Sequence, residues 1–322
     1  MREHGGNLDI AQQRFGGAAE DWIDLSTGIN RVPYPVVDVE PRQWSALPSR
    51  SDIESLDSAA RQAYGTEAPI VAIGGAQAAI QLLPHLASRG RARILAPTYN
   101  EYAAVFSAAG WDVAEVSELA ALAGADIAVV VNPNNPDGRC HDRDELLALL
   151  PRVGRLVIDE SFADAVPGIS LASEAGRAGL LILRSFGKFY GLAGVRLGFA
   201  LGSAPDIAAL AAMAGPWPVS GAAIAIGRRA LLDHDWAKAT AKRLADDCIR
   251  LDAEARSQGW TLLGGTPLFR LYQTGDALAA QERLARGLIW SRVFRQEPGW
   301  LRLGLPGSET EWSRLSAVLS SV

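Results

Sequence analysis

Lysine is nearly missing from this 322-residue chain: only Lys188, Lys238 and Lys242 stand among 31 basic side chains. Where positive charge is written almost wholly in arginine, each lysine asks for a reason. Cysteine is scarcer still. Cys140 and Cys248 lie far apart and fit no metal spacing, which excludes a disulfide framework and reads as free thiols in a cytoplasmic protein. The four histidines, His4, His85, His141 and His234, are scattered, so no metal site is expected. Positive charge is not in surplus either. A formal charge of −5 argues against nucleic acid or a membrane surface as partner. No apolar run approaches the ~20 residues that span a bilayer, and the N-terminus lacks the charged-then-apolar plan of a signal peptide. What remains is the composition of an ordinary soluble globular protein, 48% apolar and 21% charged, long enough for more than one domain.

What is present is alternation. Short apolar strands (70–73, 93–96, 127–131, 156–158 and 180–183) are each followed by a polar cluster and then, in most cases, a helix. That pattern predicts an α/β fold, a mostly parallel central sheet with helices on both faces. After the Pro/Gly break at Gly215-Pro-Trp-Pro-Val-Ser220 the character changes. A long charged helix, about 236–257, leads into strands near 261–263, 268–272 and 300–303, with helices near 276–286 and 310–319. The expected organisation is an N-terminal arm over the active site (1–35), a large domain (36–215) and a smaller C-terminal α+β domain (216–322).

In such sheets ligands bind beyond the carboxyl ends of the strands, and the unusual residues of this chain fall at those ends. Lys188 lies in Ser185-Phe-Gly-Lys188, between a glycine and aromatics. An apolar setting disfavours the ammonium form, and a neutral amine is what Schiff-base chemistry with an aldehyde requires. Ser-x-x-Lys also occurs in β-lactamases, but their companion Ser-Asp-Asn and Lys-Thr-Gly elements are missing here. Lys238 and Lys242, one turn apart in a charged helix, read as a solvated face. Asp159 ends its strand, where a carboxylate can keep a ring nitrogen protonated or simply cap the next turn. Ser185 and Arg196 can clamp a phosphate. Gly75-Ala76-Gln77 opens a helix after a strand, which makes an anion site or equally a tight turn. Asn135, in Asn132-Pro-Asn-Asn-Pro-Asp-Gly138, can donate to a phenolate oxygen, although the loop's composition alone reads as turn chemistry. Tyr99 can stack on a ring or fill the core. Arg295 and Arg302, taken singly, read as surface charges.

Together these residues resemble the fold-type I family of pyridoxal-phosphate enzymes, the aspartate aminotransferase superfamily. The Asn-Asn-Pro-x-Gly loop at 134–138, the strand-end Asp159, Ser185-x-x-Lys188 and Arg196 recur in the family's order. The resemblance covers nearly the whole chain. It implies the pyridoxal-phosphate-dependent transferase fold, pyridoxal 5'-phosphate as cofactor and a homodimer. By it, Lys188 would hold the cofactor and shuttle protons, and Asp159 would pair with the pyridine nitrogen. Asn135 would bind the ring oxygen and Tyr99 would stack on the ring. The backbone at Ala76 and Gln77, with Ser185 and Arg196, would bind the cofactor phosphate, and Arg302 would bind a substrate anion.

Within the family, His4-Gly-Gly-Asn7, Asp24-Leu-Ser-Thr-Gly-Ile-Asn30, Asp159-Glu-Ser-Phe162 and Pro216-Trp-Pro-Val219 look like the threonine-phosphate decarboxylases of cobalamin biosynthesis. This likeness implies an amino-acid phosphate substrate, with His4, Asn30, Arg295 and Arg302 around its phosphate and carboxylate. The alternative is a histidinol-phosphate aminotransferase. Two departures from aminotransferases stand out. Phe162 occupies a position where they carry a tyrosine, which favours the decarboxylases. Leu47-Pro48 replaces a Tyr-Pro that reaches the neighbouring subunit's cofactor. A non-catalytic cofactor-binding module of a regulator is a further reading, disfavoured by the negative charge and by the lack of anything resembling a DNA-binding domain.

Overall fold

The computed structural model describes residues 4–36, 38–166 and 168–320. In chain order its first strands are β1 (Ile23–Asp24), β2 (Ile70–Ile73), β3 (Arg91–Leu95), β4 (Asp112–Val116), β5 (Ile127–Val131), β6 (Arg155–Asp159), β7 (Leu180–Ser185) and β8 (Gly198–Gly202). They continue with β9 (Thr261–Thr266), β10 (Phe269–Gln273), β11 (Ile289–Trp290), β12 (Arg292–Phe294) and β13 (Glu297–Gly304). The chain divides into two compact units. The larger takes Tyr34–Asn135 and Cys140–Lys238; the smaller takes the described residues of Met1–Pro33, Pro136–Arg139 and Ala239–Val322.

A seven-stranded sheet in the order β2-β8-β7-β6-β5-β3-β4 forms the centre of the larger unit. From β4 to β7 every pairing is parallel, and β8 runs antiparallel to both β7 and β2. The mostly parallel sheet that the alternation predicts is what forms. The reason is burial on both faces: β2, β5, β7 and β8 are buried at every position. Each such Leu, Ile or Val withdrawn from water contributes about 1.5–3 kcal/mol. β4 is one of the strands the sequence did not announce. It is a half-exposed edge without an apolar run, held by its pairing to β3. Also unannounced was the helix Arg50–Tyr64. Ser49 starts it through a capping box with Asp52, and Gly65 stops it in the left-handed conformation, φ 62°.

Register fixes where the site lies. Val131 pairs with Asp159, and Asp159 with Leu183, so β5, β6 and β7 end along one edge of the sheet. Everything polar that follows those strands therefore emerges on the same side.

The smaller unit is built on an antiparallel sheet, β12-β13-β10-β9. The N-terminal residues belong to it. β1 pairs in parallel with β11, and Trp22 packs edge-on against Trp290 at 6.2 Å. Ala11 of the helix Leu8–Phe15 is fully buried with Trp22 and Ala285. Gly138 lies so close to β9 that a Cβ there would sit 2.1 Å from the Gly265 carbonyl oxygen.

Candidate active site

One cavity of about 300 Å³ in the larger unit is lined by all eight residues that the sequence proposed for a cofactor: Ala76, Gln77, Tyr99, Asn135, Asp159, Ser185, Lys188 and Arg196. Gly75, Ser161, Phe162 and Gly187 complete much of the wall.

The phosphate-sized corner is made by backbone that side chains would block. Gly75 has φ +83°, and a Cβ on it would lie 2.8 Å from Nη2 of Arg196. A Cβ on Gly198 would lie 2.6 Å from the Ala76 nitrogen. Glycine at both places lets the start of the helix Ala76–Leu82, the end of β7 and Arg196 converge. Arg196 itself adopts a left-handed backbone, φ 55°, and donates to the Ala193 carbonyl at 3.2 Å. Ser185 ends β7 and opens the single turn Phe186–Phe189 that carries Lys188. Gly187 is required there, since a Cβ would lie 2.7 Å from Cα of Ala193. The Lys188 Nζ stands 5.5 Å over the ring of Phe162.

Asp159 is 3% exposed. Its Oδ2 accepts from the Tyr102 hydroxyl at 2.6 Å and its Oδ1 from the Ser161 N–H at 2.9 Å. Tyr99 donates its hydroxyl to Oε1 of Gln77 at 3.1 Å, and Gln77 donates its amide to Glu101 at 3.1 Å. The Asn135 loop is tied on both sides. Asn134 donates to the Pro97 carbonyl at 2.8 Å, and Asn132 exchanges hydrogen bonds with the His141 backbone. Glu160, next to Asp159 in sequence, faces the interior. It is fully buried and pairs with Arg184 at 2.7 Å, while the same guanidinium reaches Asp164 at 2.7 Å. That buried pair ties the end of β6 to the end of β7, because two carboxylates in a dry interior need a shared cation.

The proposed substrate residues lie in the smaller unit. Arg302 on β13 is 7% exposed and donates to the Ser26 carbonyl at 2.8 Å. Its guanidinium sits 5.0 Å over the Phe269 ring. Burial first, then the charge of Arg292, pushes it down to about 10, still a cation at neutral pH; Asp24 opposes this. His4 is exposed, and the turn after it is pinned to the same serine: the Gly6 N–H donates to Ser26 Oγ at 2.7 Å. A Cβ on Gly5 would lie 2.3 Å from the Ser26 carbonyl oxygen. Asn30 is buried, and its Oδ1 accepts from the Val32 N–H at 3.0 Å and from Arg243 at 2.8 Å. Arg295 lies in the exposed turn between β12 and β13. Sequence reasoning passed over Arg292, which stands directly opposite Arg302 in the β12–β13 register. The signal available was weak, a second arginine ten residues before the first. Tyr102 was passed over as well, one helical turn after Tyr99.

A cavity of this size, lined by an amine, a buried carboxylate, an amide, an aromatic ring and a main-chain anion corner with an arginine, fits a small phosphorylated aromatic aldehyde. Comparison with known proteins agrees. Residues 20–318 match the aminotransferase class I and II family, to which the chain belongs, and it is a pyridoxal-phosphate-dependent enzyme. It is 43% identical over 326 residues to the threonine-phosphate decarboxylase of Pseudomonas aeruginosa, covering 99% of this chain and 97% of that one. A threonine-phosphate decarboxylase of a Sinorhizobium species is likewise 43% identical, over 98% of this chain and 97% of its own. The crystal structure of histidinol-phosphate aminotransferase from Sinorhizobium meliloti, in complex with pyridoxal-5'-phosphate, aligns with a TM-score of 0.81 at 19% identity. It covers 100% of this chain and 96% of that one, and at such low identity the likeness shows the fold.

Proposed function

We propose that this enzyme removes the carboxyl group of L-threonine O-3-phosphate, giving carbon dioxide and (R)-1-amino-2-propanol O-2-phosphate for cobalamin biosynthesis. The observation that carries the reading is the gathering of Lys188, Asp159, Asn135, Tyr99, Ser185 and Arg196 on one cavity. Identity of 43% to two threonine-phosphate decarboxylases along nearly the full chain supports the choice of substrate.

Pyridoxal phosphate, when bound, supplies a conjugated ring that accepts the electron pair of the breaking bond. Lys188 would hold its aldehyde through Nζ and would move a proton at that nitrogen. Asp159 would pair with the ring nitrogen, Asn135 would donate to the ring oxygen, and Tyr99 would cover a ring face. The Ala76 and Gln77 N–H groups, Ser185 and Arg196 take the phosphate. Phe162 leaves the ring oxygen without the phenol that a tyrosine would bring. Of the four residues that the resemblance implies for the substrate's phosphate and carboxylate, we keep His4, Asn30 and Arg302, and we propose Arg292 in place of Arg295, because Arg292 faces Arg302 in register while Arg295 lies in the exposed turn. Those groups would choose the reaction, because they set how the substrate is oriented in the site. In this assignment residues 36–215 serve the cofactor, while the arm 1–35 and residues 216–322 serve the substrate.

The test is incubation with threonine phosphate, without 2-oxoglutarate, and assay of carbon dioxide and aminopropanol phosphate. Amino transfer from histidinol phosphate to 2-oxoglutarate without carbon dioxide release would replace this reading with the aminotransferase one. We further propose a cytoplasmic homodimer. Trp44, Leu47 and Trp217, each more than half exposed, line a groove of the larger unit with Pro48 and Pro218, which a second copy would cover. Leu47→Asp should then shift the mass measured by light scattering from dimer to monomer. No helix among the described residues is long and apolar enough to cross a membrane.

A further inference from the structure

A carboxylate that has to meet a ring nitrogen must present a lone pair in one direction, yet the terminal torsion of aspartate is broad. In this protein that torsion is held from two sides. Ser161 N–H donates to one oxygen of Asp159 at 2.9 Å, and the Tyr102 hydroxyl donates to the other at 2.6 Å. Tyr102 is fully buried, so the contact forms away from water. Each oxygen has two acceptor positions. One donor on each leaves the second for whatever enters the cavity that Asp159 lines.

We infer that Tyr102 is a positioning residue, whose hydroxyl fixes the plane of the Asp159 carboxylate against the ring nitrogen of the cofactor. The inference rests on the reading of the cavity given above. It goes beyond it by tying two cofactor contacts to one helical turn. Tyr99 and Tyr102 are three residues apart at the start of the helix Glu101–Ala108, and their rings meet edge-on at 6.4 Å and 82°. Tyr99 supplies the stacking face, oriented by its bond to Gln77. Tyr102 supplies the clamp. A shift of this turn would therefore move the ring's covering face and the carboxylate's plane together. Burial, and then the charge of Asp159, hold the Tyr102 phenol well above its ordinary range. It remains a donor throughout the working pH, so it acts as a clamp rather than an acid or base.

Tyr102→Phe removes one oxygen and keeps every ring contact, so the fold is retained and a thermal melt verifies that. The experiment loads wild type, Y102F, D159A and the double variant with pyridoxal phosphate. It reads the cofactor dissociation constant and the visible spectrum from pH 6 to 9. Y102F should bind the cofactor about tenfold more weakly, the loss expected for a hydrogen bond to a charged group. The pH at which its visible band changes should move, and kcat should fall with the KM for threonine phosphate unchanged. In the D159A background Y102F should add less than a twofold effect. Y102F indistinguishable from wild type, or an equal tenfold loss with and without Asp159, would overturn the inference while leaving the cofactor assignment intact. A wild-type protein that forms no visible band would instead sink the cofactor assignment, and the role of Tyr102 with it.

Discussion

The two charged clusters of this chain are built in opposite ways. In the larger unit, charges leave the ends of fully buried strands and meet their balance at once. Asp159 is held by a hydroxyl and an N–H, and Glu160 and Asp164 share Arg184. In the smaller unit, Arg292 and Arg302 are brought face to face across an antiparallel pair. Like charges directly opposite one another destabilise a sheet, and here one of them is also buried. A preformed cradle needs its charges already satisfied so that it keeps its shape. Two cations held close together make a region where an anion is favoured. On the proposed reading, the first arrangement would hold a resident group and the second would select what visits it.

That contrast can be broken by experiment. The largest expected effect is that of Lys188→Ala. Turnover should fall by at least about a thousandfold, as for loss of a covalent catalytic group, and the visible band of the loaded enzyme should disappear. Binding of threonine phosphate in the smaller unit should survive, as measured by calorimetry. If substrate binding vanished along with the band, the division of labour between the clusters would be wrong.

Next in size is Arg302→Ala. Removing a charge-assisted contact should raise the KM for threonine phosphate about tenfold to a hundredfold, and Arg292→Ala about tenfold. Neither should alter the cofactor spectrum. A lost spectrum in either variant would blur the two clusters into one.

How much of this was legible beforehand follows from the same contrast. Asp159 and Ser185 could be found because they terminate runs such as Leu-Val-Ile and Leu-Leu-Ile-Leu, which read as strands buried on both faces in an alternating chain, and the ends of such strands share one edge. Gly75 and Arg196 were legible as types, a glycine before a helix and an arginine after a lysine turn, though their packing, so close that a Cβ on Gly75 would lie 2.8 Å from Nη2 of Arg196, was not. Tyr102 and Arg292 lay beyond reach for different reasons. The Tyr102 contact depends on how one helix sits on the sheet, which no periodicity encodes. Arg292 faces Arg302 because of a pairing that slips between Val293 and Phe294, and register is set by turn and bulge rather than by composition. The partner of Glu160 was hidden because Arg184 lies inside a strand that otherwise reads as apolar.

A smaller effect separates charges that serve the site from one that is merely tolerated. Asp57, on the helix Arg50–Tyr64, is pushed up to about 7 by burial, against the opposing charge of Arg61. Its carboxyl is charged in the unfolded chain from about pH 4 upwards, but in the folded protein only above about 7. The stability it contributes is therefore complete at acid pH and lost as pH rises through that window. Asp57→Asn should stabilise the protein by about 1–2 kcal/mol at pH 8, with a smaller gain at pH 5 and unchanged kcat, read by urea unfolding at both values. A gain independent of pH would mean that the carboxyl is ionised at no cost.

The smallest effect tests the register itself. Arg295 and Arg292 are three residues apart, but one occupies the exposed turn and the other the strand opposite Arg302. An exposed charge is screened by salt, so its removal costs little. Arg295→Ala should leave the KM for threonine phosphate within about twofold of wild type, where Arg292→Ala raises it about tenfold. The pair forms an internal control, since each variant removes one arginine from the same hairpin and changes the net charge equally. Should the order be reversed, with Arg295 the costly loss, the β12–β13 pairing would have to shift on substrate binding. The cation cluster would then be assembled by the ligand rather than waiting for it.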